Sequence, residues 1–144
     1  MYDAVLVPTD GGDRMEQVIE HAIDTADRHD APLHVLSVVD DRAFLTLDDD
    51  LQADVAERLQ NDAETAVSEV TDAAKRADID AVPAVREGNP GEQIRAYAAH
   101  AEIDLIVMGS RGADDYGGSM LGSVSQDVVT NADRPVLTIP IGER

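Results

Sequence analysis

Short apolar runs alternate along the chain with longer segments whose apolar residues recur every three or four positions. The runs are Asp3 to Pro8 (D-A-V-L-V-P), Leu33 to Val39 (L-H-V-L-S-V-V), Ile79 to Val85 (I-D-A-V-P-A-V), Asp104 to Met108 (D-L-I-V-M) and Val136 to Pro140 (V-L-T-I-P). Brief apolar stretches rich in β-branched residues and bounded by turn residues predict buried strands. Between them lie four helical stripes. Met15, Val18, Ile19, Ala22, Ile23 and Ala26 form the first. A longer one, from Leu51 to about Ala77, carries Leu51, Val55, Leu59, Ala63, Ala66, Val67, Val70, Ala73, Ala74 and Ala77. Ile94, Tyr97, Ala98 and Ala101 mark the third, and Val124, Val128 and Val129 the fourth, from about Gly122 to Ala132. Spacings of three and four place each set on one face of a helix.

Punctuation residues agree with these spans. Gly12 or Asp13 caps the first helix, which frays through Arg28 to Asp30 before Pro32 stops it. Asn89-Pro90-Gly91-Glu92 is a strong helix start, with Asn89 as N-cap, Pro90 at the first position and Glu92 placed to complete a capping box. Pro83 lacks the N–H that a ladder needs, so its strand is expected at an edge or with a bulge. Arg86-Glu87-Gly88 reads as a turn, and Asp133-Arg134-Pro135 ends the last helix. The acidic stretch Asp40 to Asp50 holds Phe44, Leu45 and Leu47, too apolar for a free linker, and reads as a short helix or a flap. The order is thus β-α-β-α-β-α-β-α-β over residues 1–144, without internal repeat or second-domain boundary. Such alternation predicts one α/β domain with a parallel sheet and helices on both faces.

Composition narrows the function classes. The chain has 11 basic and 30 acidic residues, a formal charge of −19, and Lys75 is its only lysine. A surface of this sign repels nucleic acid and anionic membrane, so neither is expected as a partner. No apolar segment approaches the ~18 residues of a membrane span. Met1 leads directly into a strand with no basic leader, so a cytoplasmic location is expected. Cysteine is absent, which excludes disulfides, thiolate metal sites and thiol catalysis. Aspartate outnumbers glutamate by more than two to one. This bias suits a salt-rich, halophilic cytoplasm, where a Debye length of ~3 Å at molar salt hides like charges from one another.

Candidate chemistry concentrates between Ile103 and Thr130. The strand ending I-V-M runs into Gly109-Ser110-Arg111-Gly112, and Gly122-Ser123 follows after nine more residues, where a helix begins. A strand that opens through glycines into a helix N-terminus is a common anion cradle, since backbone N–H groups face the anion and glycine permits close approach. The pattern is neither G-x-x-x-x-G-K-[ST] nor G-x-G-x-x-G. Gly109, Gly112, Gly122 and Ser123 are the phosphate candidates, with the hydroxyls of Ser123 and Ser125 and the N–H groups of Ser123, Val124 and Ser125. The plainer alternative is a set of loop glycines with a serine cap. Arg111 can meet a phosphate or pair with Asp114 or Asp115. Asp10, in Thr9-Asp10-Gly11-Gly12 after the first strand, can accept from ribose hydroxyls, help hold a cation, or form an Asx turn.

Other chemistries find little support. The four histidines, His21, His29, His34 and His100, show no i,i+4 pairing, and H-E-x-x-H is absent, so no metal site is expected. There is no G-x-S-x-G elbow, and Ser123 has no identifiable base, so no catalytic residue is assigned.

The spacing G-x2-G-x9-G-S after a buried strand resembles the universal stress protein family, many of whose members bind ATP through this loop. The resemblance covers the whole chain. It implies an open five-stranded parallel sheet of order 3-2-1-4-5, Rossmann-like in the manner of the adenine-nucleotide alpha hydrolases. The crevice then lies between the first and fourth strands, beyond their carboxyl ends. Pro8-Thr9-Asp10 matches the family's nucleotide-contacting pattern. Val38 matches the position whose backbone meets adenine, and a core valine would look the same. Gly109-Ser110 would then face Thr9-Asp10 across the crevice, with Met108 a further candidate binding residue. The implied ligand is ATP, with or without Mg²⁺, or another adenine nucleotide. One departure stands out: where many members carry Lys or Arg, Ala113 to Leu121 holds Asp114 and Asp115 and no basic residue. Two carboxylates beside a triphosphate weaken its binding unless cations intervene. The family's last strands often pair, which implies a homodimer through Val136, Leu137, Thr138 and Ile139, with Leu137 and Ile139 buried near a two-fold axis. The expected function is a nucleotide-binding regulator with at most slow ATP turnover. The alternative is a dimeric interaction module that needs no nucleotide.

Overall fold

Val5 and Val7 face one side of the central sheet and Leu6 the other, and all three are fully buried. That pairing of faces sets the architecture. In the computed structural model, which describes residues 1–110 and 122–141, strand β1 (Val5–Pro8) lies at the centre. Around it the sheet takes in β2 (Leu33–Asp40), β3 (Ala81–Gly88), β4 (Leu105–Gly109) and β5 (Val136–Ile139). The order is β3-β2-β1-β4-β5 and every pairing is parallel. This is the 3-2-1-4-5 order that the resemblance implied. Among the described residues four α-helices connect the strands: α1 (Glu16–His29), α2 (Asp49–Arg76), α3 (Pro90–His100) and α4 (Ser123–Asn131).

Each face of the sheet has its own core. Val5, Val7, Leu33, Val35, Leu105 and Val107 pack against Val18, Ala22 and Ala26 of α1 and Val67, Val70 and Ala74 of α2. Leu6, Leu36, Ile106 and Met108 pack against Ile94 and Ala98 of α3 and Val128 of α4. Both faces are covered, as an all-parallel sheet requires. On the outer side of the second face, α3 and α4 touch closely. A Cβ added to Gly91 would run into the Asp127 carboxylate, so a larger residue here would have to push that side chain aside.

Several boundaries differ from those the sequence suggests. The first strand starts at Val5 rather than Asp3, because the N–H groups of Asp3 and Ala4 donate to Asp104 Oδ2 at 2.8 and 3.0 Å. The third strand runs to Gly88. Arg86, Glu87 and Gly88 are no turn but pair with Val38, Val39 and Asp40, since β2 continues far enough to offer them a ladder. Ile79 instead closes α2, donating its N–H to Ala74 O at 2.9 Å. The long helix begins at Asp49, two residues before Leu51, with extended Asp48 as its N-cap. A 3-10 turn, Asp13–Met15, precedes α1, with Gly12 before it.

Other expectations hold in detail. Pro83 sits in edge strand β3. Asn89 caps α3, its side chain accepting from the Glu92 N–H at 3.0 Å, with Pro90 at the first position. The stretch after Asp40 opens with a 3-10 turn, Asp41–Ala43, and then buries Phe44 against Val39 and Ala63. Gln52 Nε2 ties it down by donating to Phe44 O at 3.1 Å. The segment therefore forms a wall above the carboxyl end of β2. No helix among the described residues is long and apolar enough to cross a membrane.

Candidate functional site

The carboxyl ends of β1, β2 and β4 open into a cavity of about 510 Å³, bounded by α2, the start of α3 and the start of α4. Ligand pockets commonly span roughly 300–1,000 Å³. The cavity lies where the chain leaves β1 for opposite sides of the sheet, the usual binding place of an open α/β fold. It brings together Pro8, Thr9, Asp10, Val38, Met108, Gly109, Ser123, Val124 and Ser125, residues far apart in sequence. Gly122, buried, precedes them as the N-cap of α4. Arg111 and Gly112 lie outside the described residues.

The β1 side is a tight turn. Thr9 is buried, donates its N–H to Leu36 O at 2.8 Å and accepts from the Gly11 N–H through Oγ1 at 3.2 Å. Asp10 is exposed and its Oδ1 accepts from the Gly12 N–H at 2.9 Å. The Asx-turn alternative is thus realised, and it fixes the carboxylate at the cavity edge. Gly11 has φ +77, and a Cβ there would stand 3.2 Å from the Ala66 side chain. Both the left-handed backbone and the closeness of α2 favour glycine.

The β4 side is pinned by two serines. Ser125 is buried and its Oγ donates to Gly109 O at 2.7 Å, so its proton is held inside the protein rather than offered to a phosphate. Ser110 is a three-way tie. Its N–H donates to Ile139 O at 2.9 Å, its Oγ accepts from the Ile141 N–H at 3.1 Å, and its carbonyl accepts from the Gly122 N–H at 2.6 Å. The last of these brings the two ends of the glycine loop together. The first intrahelical bond of α4 runs from the Gln126 N–H to Gly122 O at 2.8 Å. The N–H groups of Ser123, Val124 and Ser125 precede it and have no acceptor within the helix. A helix start without acidic residues in its first turn, at a cavity wall, favours a negative group.

The β2 side holds residues that sequence spacing did not single out. Leu59 and Ala63 of α2 and Val39, which pack in one apolar cluster, line the cavity together with Ala43. Asp40, Arg42 and Asp62 add charge. Arg42 forks onto Asp40: Nε lies 2.9 Å from Oδ1, and Nη2 lies 2.6 Å from Oδ2. Hydrogen bonding from Arg42 holds the Asp40 carboxyl below the usual carboxylate range, against the opposing effect of partial burial. The α2 stripe could be read from sequence as core only, and Asp40 as part of an acidic surface run. The available clue was topological, since α2 crosses over the carboxyl end of a strand next to the switch point. Among the described residues no group of three His, Asp or Glu side chains could hold a metal.

A parallel sheet of order 3-2-1-4-5 with helices on both faces and a cavity at its switch point defines the class of open, Rossmann-like α/β proteins. A profile of the universal stress protein family matches residues 1–140, and the chain belongs to that family. It is similar to a universal stress protein of Methanocaldococcus jannaschii, 31% identical over 140 residues that make up 96% of this chain and 82% of the relative. The solved structure of the universal stress protein UspA from Lactobacillus plantarum superposes with a TM-score of 0.83 at 30% identity, covering 96% of this chain and 97% of that one. Two more distant structures share the fold: a universal stress protein in complex with cAMP (TM-score 0.73, 24% identity, 98% of each chain) and one from Archaeoglobus fulgidus in complex with dAMP (TM-score 0.71, 22% identity, 96% of this chain and 98% of that one).

Proposed function

We propose that this chain is a regulatory protein of the universal stress type that binds an adenine nucleotide, ATP or another, in the switch-point cavity. The observation that carries this is the meeting of the apolar side chains Leu59 and Ala63 with the N-terminus of α4 in one cavity. A base fits the first, a phosphate the second, and Asp10 lies on the lining between the strand ends to accept from ribose hydroxyls. Family members holding cAMP and dAMP support the ligand class. A Mg²⁺ ion, where a polyphosphate is bound, would be shared between phosphate oxygens and the cavity's carboxylates. Bound nucleotide acts as a signal, with at most slow hydrolysis.

Nucleotide carried through purification is the first test. Heat-denatured protein should release an adenine nucleotide that chromatography resolves. Empty supernatant, together with no melting shift at millimolar nucleotide, would end this proposal in favour of a nucleotide-independent interaction module.

A homodimer through β5 belongs to the same proposal. The strand lies at the sheet edge, where unpaired backbone groups invite a second chain. Leu137 is 41% exposed, while Ile139 is already buried within its own protomer. Leu137, not Ile139, is therefore the side chain left for a partner. Light scattering at micromolar concentration should give twice the chain mass, and Leu137→Glu should give the monomer.

A further inference from the structure

Ser110 ties one edge of the sheet to the start of α4. Its N–H donates to Ile139 O at 2.9 Å and its Oγ accepts from the Ile141 N–H at 3.1 Å, so it grips the chain at and just past the end of β5. Ile139 and Ile141 are both buried in the core that α1 and α2 cover. The Ser110 carbonyl accepts from the Gly122 N–H at 2.6 Å. Gly122 is the N-cap of α4, and the next residue, Ser123, lines the cavity. Ser110 is itself buried. One residue thus holds the end of β5 and the start of α4 together.

The bonds along β5 also define its free edge. The carbonyls of Pro135 and Ile139 accept from the N–H groups of Ile106 and Ser110, on the β4 side. Carbonyls alternate in direction along a strand, so those of Val136 and Thr138 turn to the outer edge. Pro140 has no N–H and ends an outer ladder there. A second copy paired along this edge would fix the same short strand whose end Ser110 holds.

We propose that pairing through β5 and nucleotide binding are linked through Ser110, so that nucleotide strengthens the dimer and the dimer binds nucleotide more tightly than the single chain. The inference rests on the adenine-nucleotide function and the β5 dimer above, and assigns the regulation of that site. A partner strand holds Ile139 in place and, through it, Ser110. Ser110 then keeps its carbonyl on Gly122, which aims the first N–H groups of α4 into the cavity. A phosphate on those N–H groups fixes the same bonds from the other side. Whichever arrives second finds the shared segment already ordered and gives up less entropy. The linkage is reciprocal by thermodynamic necessity.

The test measures AMP affinity by calorimetry in molar KCl for the natural chain and for Leu137→Glu, and dimer dissociation by sedimentation with and without saturating AMP. Leu137 is exposed on β5 and stands apart from the cavity lining, so its substitution reaches AMP only through the dimer. The natural dimer should bind AMP roughly fivefold more tightly than Leu137→Glu, the low end of measured couplings. Each subunit brings one site, so saturating AMP should lower the dimer dissociation constant by the square of that factor, about 25-fold. Ser110→Ala removes the grip on Ile141 and should shrink both factors together, and Ser110→Thr should restore them. If Ser110→Ala does not fold, the comparison of the natural chain with Leu137→Glu carries the test alone. Equal AMP affinity in dimer and monomer, a dimer that AMP leaves unchanged, or full coupling in Ser110→Ala would overturn the linkage while leaving nucleotide binding intact. Absence of AMP binding by either protein would overturn the proposed function and the linkage with it, and a natural chain that stays single at every concentration would overturn the dimer and the linkage.

Discussion

Ser125 Oγ donates to the carbonyl of Gly109 at 2.7 Å, and the bond is buried. It joins the end of β4 to the first turn of α4, so the strand and helix that bound the glycine loop are held in one fixed relation. The loop's own closure, from the Gly122 N–H to Ser110 O at 2.6 Å, lies beside it. The helix start is thus aimed by the fold before any ligand arrives.

Removing that hydroxyl tests how much the aim depends on it. Ser125→Ala leaves the Gly109 carbonyl without this partner in a buried place, at a cost of about 1–3 kcal/mol. The melting temperature should fall by several degrees, and nucleotide affinity should fall as well. Ser125→Thr, which keeps the hydroxyl, should recover part of both. Thermal denaturation and titration of the three proteins decide this. An alanine variant as stable and as tight as the parent would show that the bond is incidental.

Gly91 makes a sharper packing test. Its α-carbon lies so near Asp127 that a methyl group would displace the carboxylate from Arg95 and Asn131, which it touches at 3.4 and 2.6 Å. Gly91→Ala should therefore destabilise by about 1–2 kcal/mol, even though alanine favours a helix by roughly 0.5–1 kcal/mol over glycine. In an Asp127→Ala background the clash is gone and the same substitution should stabilise. Denaturant midpoints of the four proteins in this cycle check the reversal of sign.

Acid should loosen the second face of the sheet through His34. Its ring shares a 2.7 Å hydrogen bond with Tyr97 Oη between β2 and α3, and burial lowers its pKa below the ordinary imidazole value. A histidine kept neutral by the fold takes up its proton more readily when unfolded. Its stabilising contribution is complete above about pH 6.5 and is lost as pH falls from there through the lowered folded value. Melting temperature should drop between pH 7.5 and 5.5, and His34→Gln should flatten that drop. Asp40, lowered by Arg42, acts in a separate and more acidic window, below the ordinary aspartate range. Equal slopes for parent and His34→Gln would remove His34 from the account.

Salt should act on the whole molecule. With a formal charge of −19, self-repulsion is relieved as KCl screens the surface. The melting temperature should climb between dilute buffer and molar KCl. A flat or falling curve would rule out the halophilic adaptation inferred from composition.

Much of this was legible in the chain itself. The full burial of Val5, Leu6 and Val7 follows from their continuous apolar run and the stripes of α1 and α2 from apolar spacing, and Asn89-Pro90 announced α3 to the residue. Helix ends were harder to read because the usual glycine is missing. Asp30, Asp78 and Glu102 take the left-handed position there, at φ 52, 60 and 55. Strand ends were blurred where partners decide them: β3 reaches Gly88 only because β2 reaches Asp40. At the site, glycines and serines drew attention through their spacing to the end proposed for phosphate. The other side of the cavity was not legible, because Leu59 and Ala63 look like any helix core and Arg42 like any surface arginine. Only the crossover of α2 above β2 turns them into cavity wall.

Calorimetry on Ser123→Asp tests nucleotide binding at this site most directly. Ser123 is exposed at the first position of α4 and lines the cavity, where a carboxylate suits the helix dipole and should leave the melting temperature unchanged or higher. The same carboxylate would stand where a phosphate must sit. In molar KCl with Mg²⁺, the natural chain should bind AMP and ATP saturably, one per chain, and Ser123→Asp should lose at least tenfold in affinity. Equal binding by the two proteins would place the nucleotide elsewhere, and no binding by the natural chain would contradict the proposed function outright.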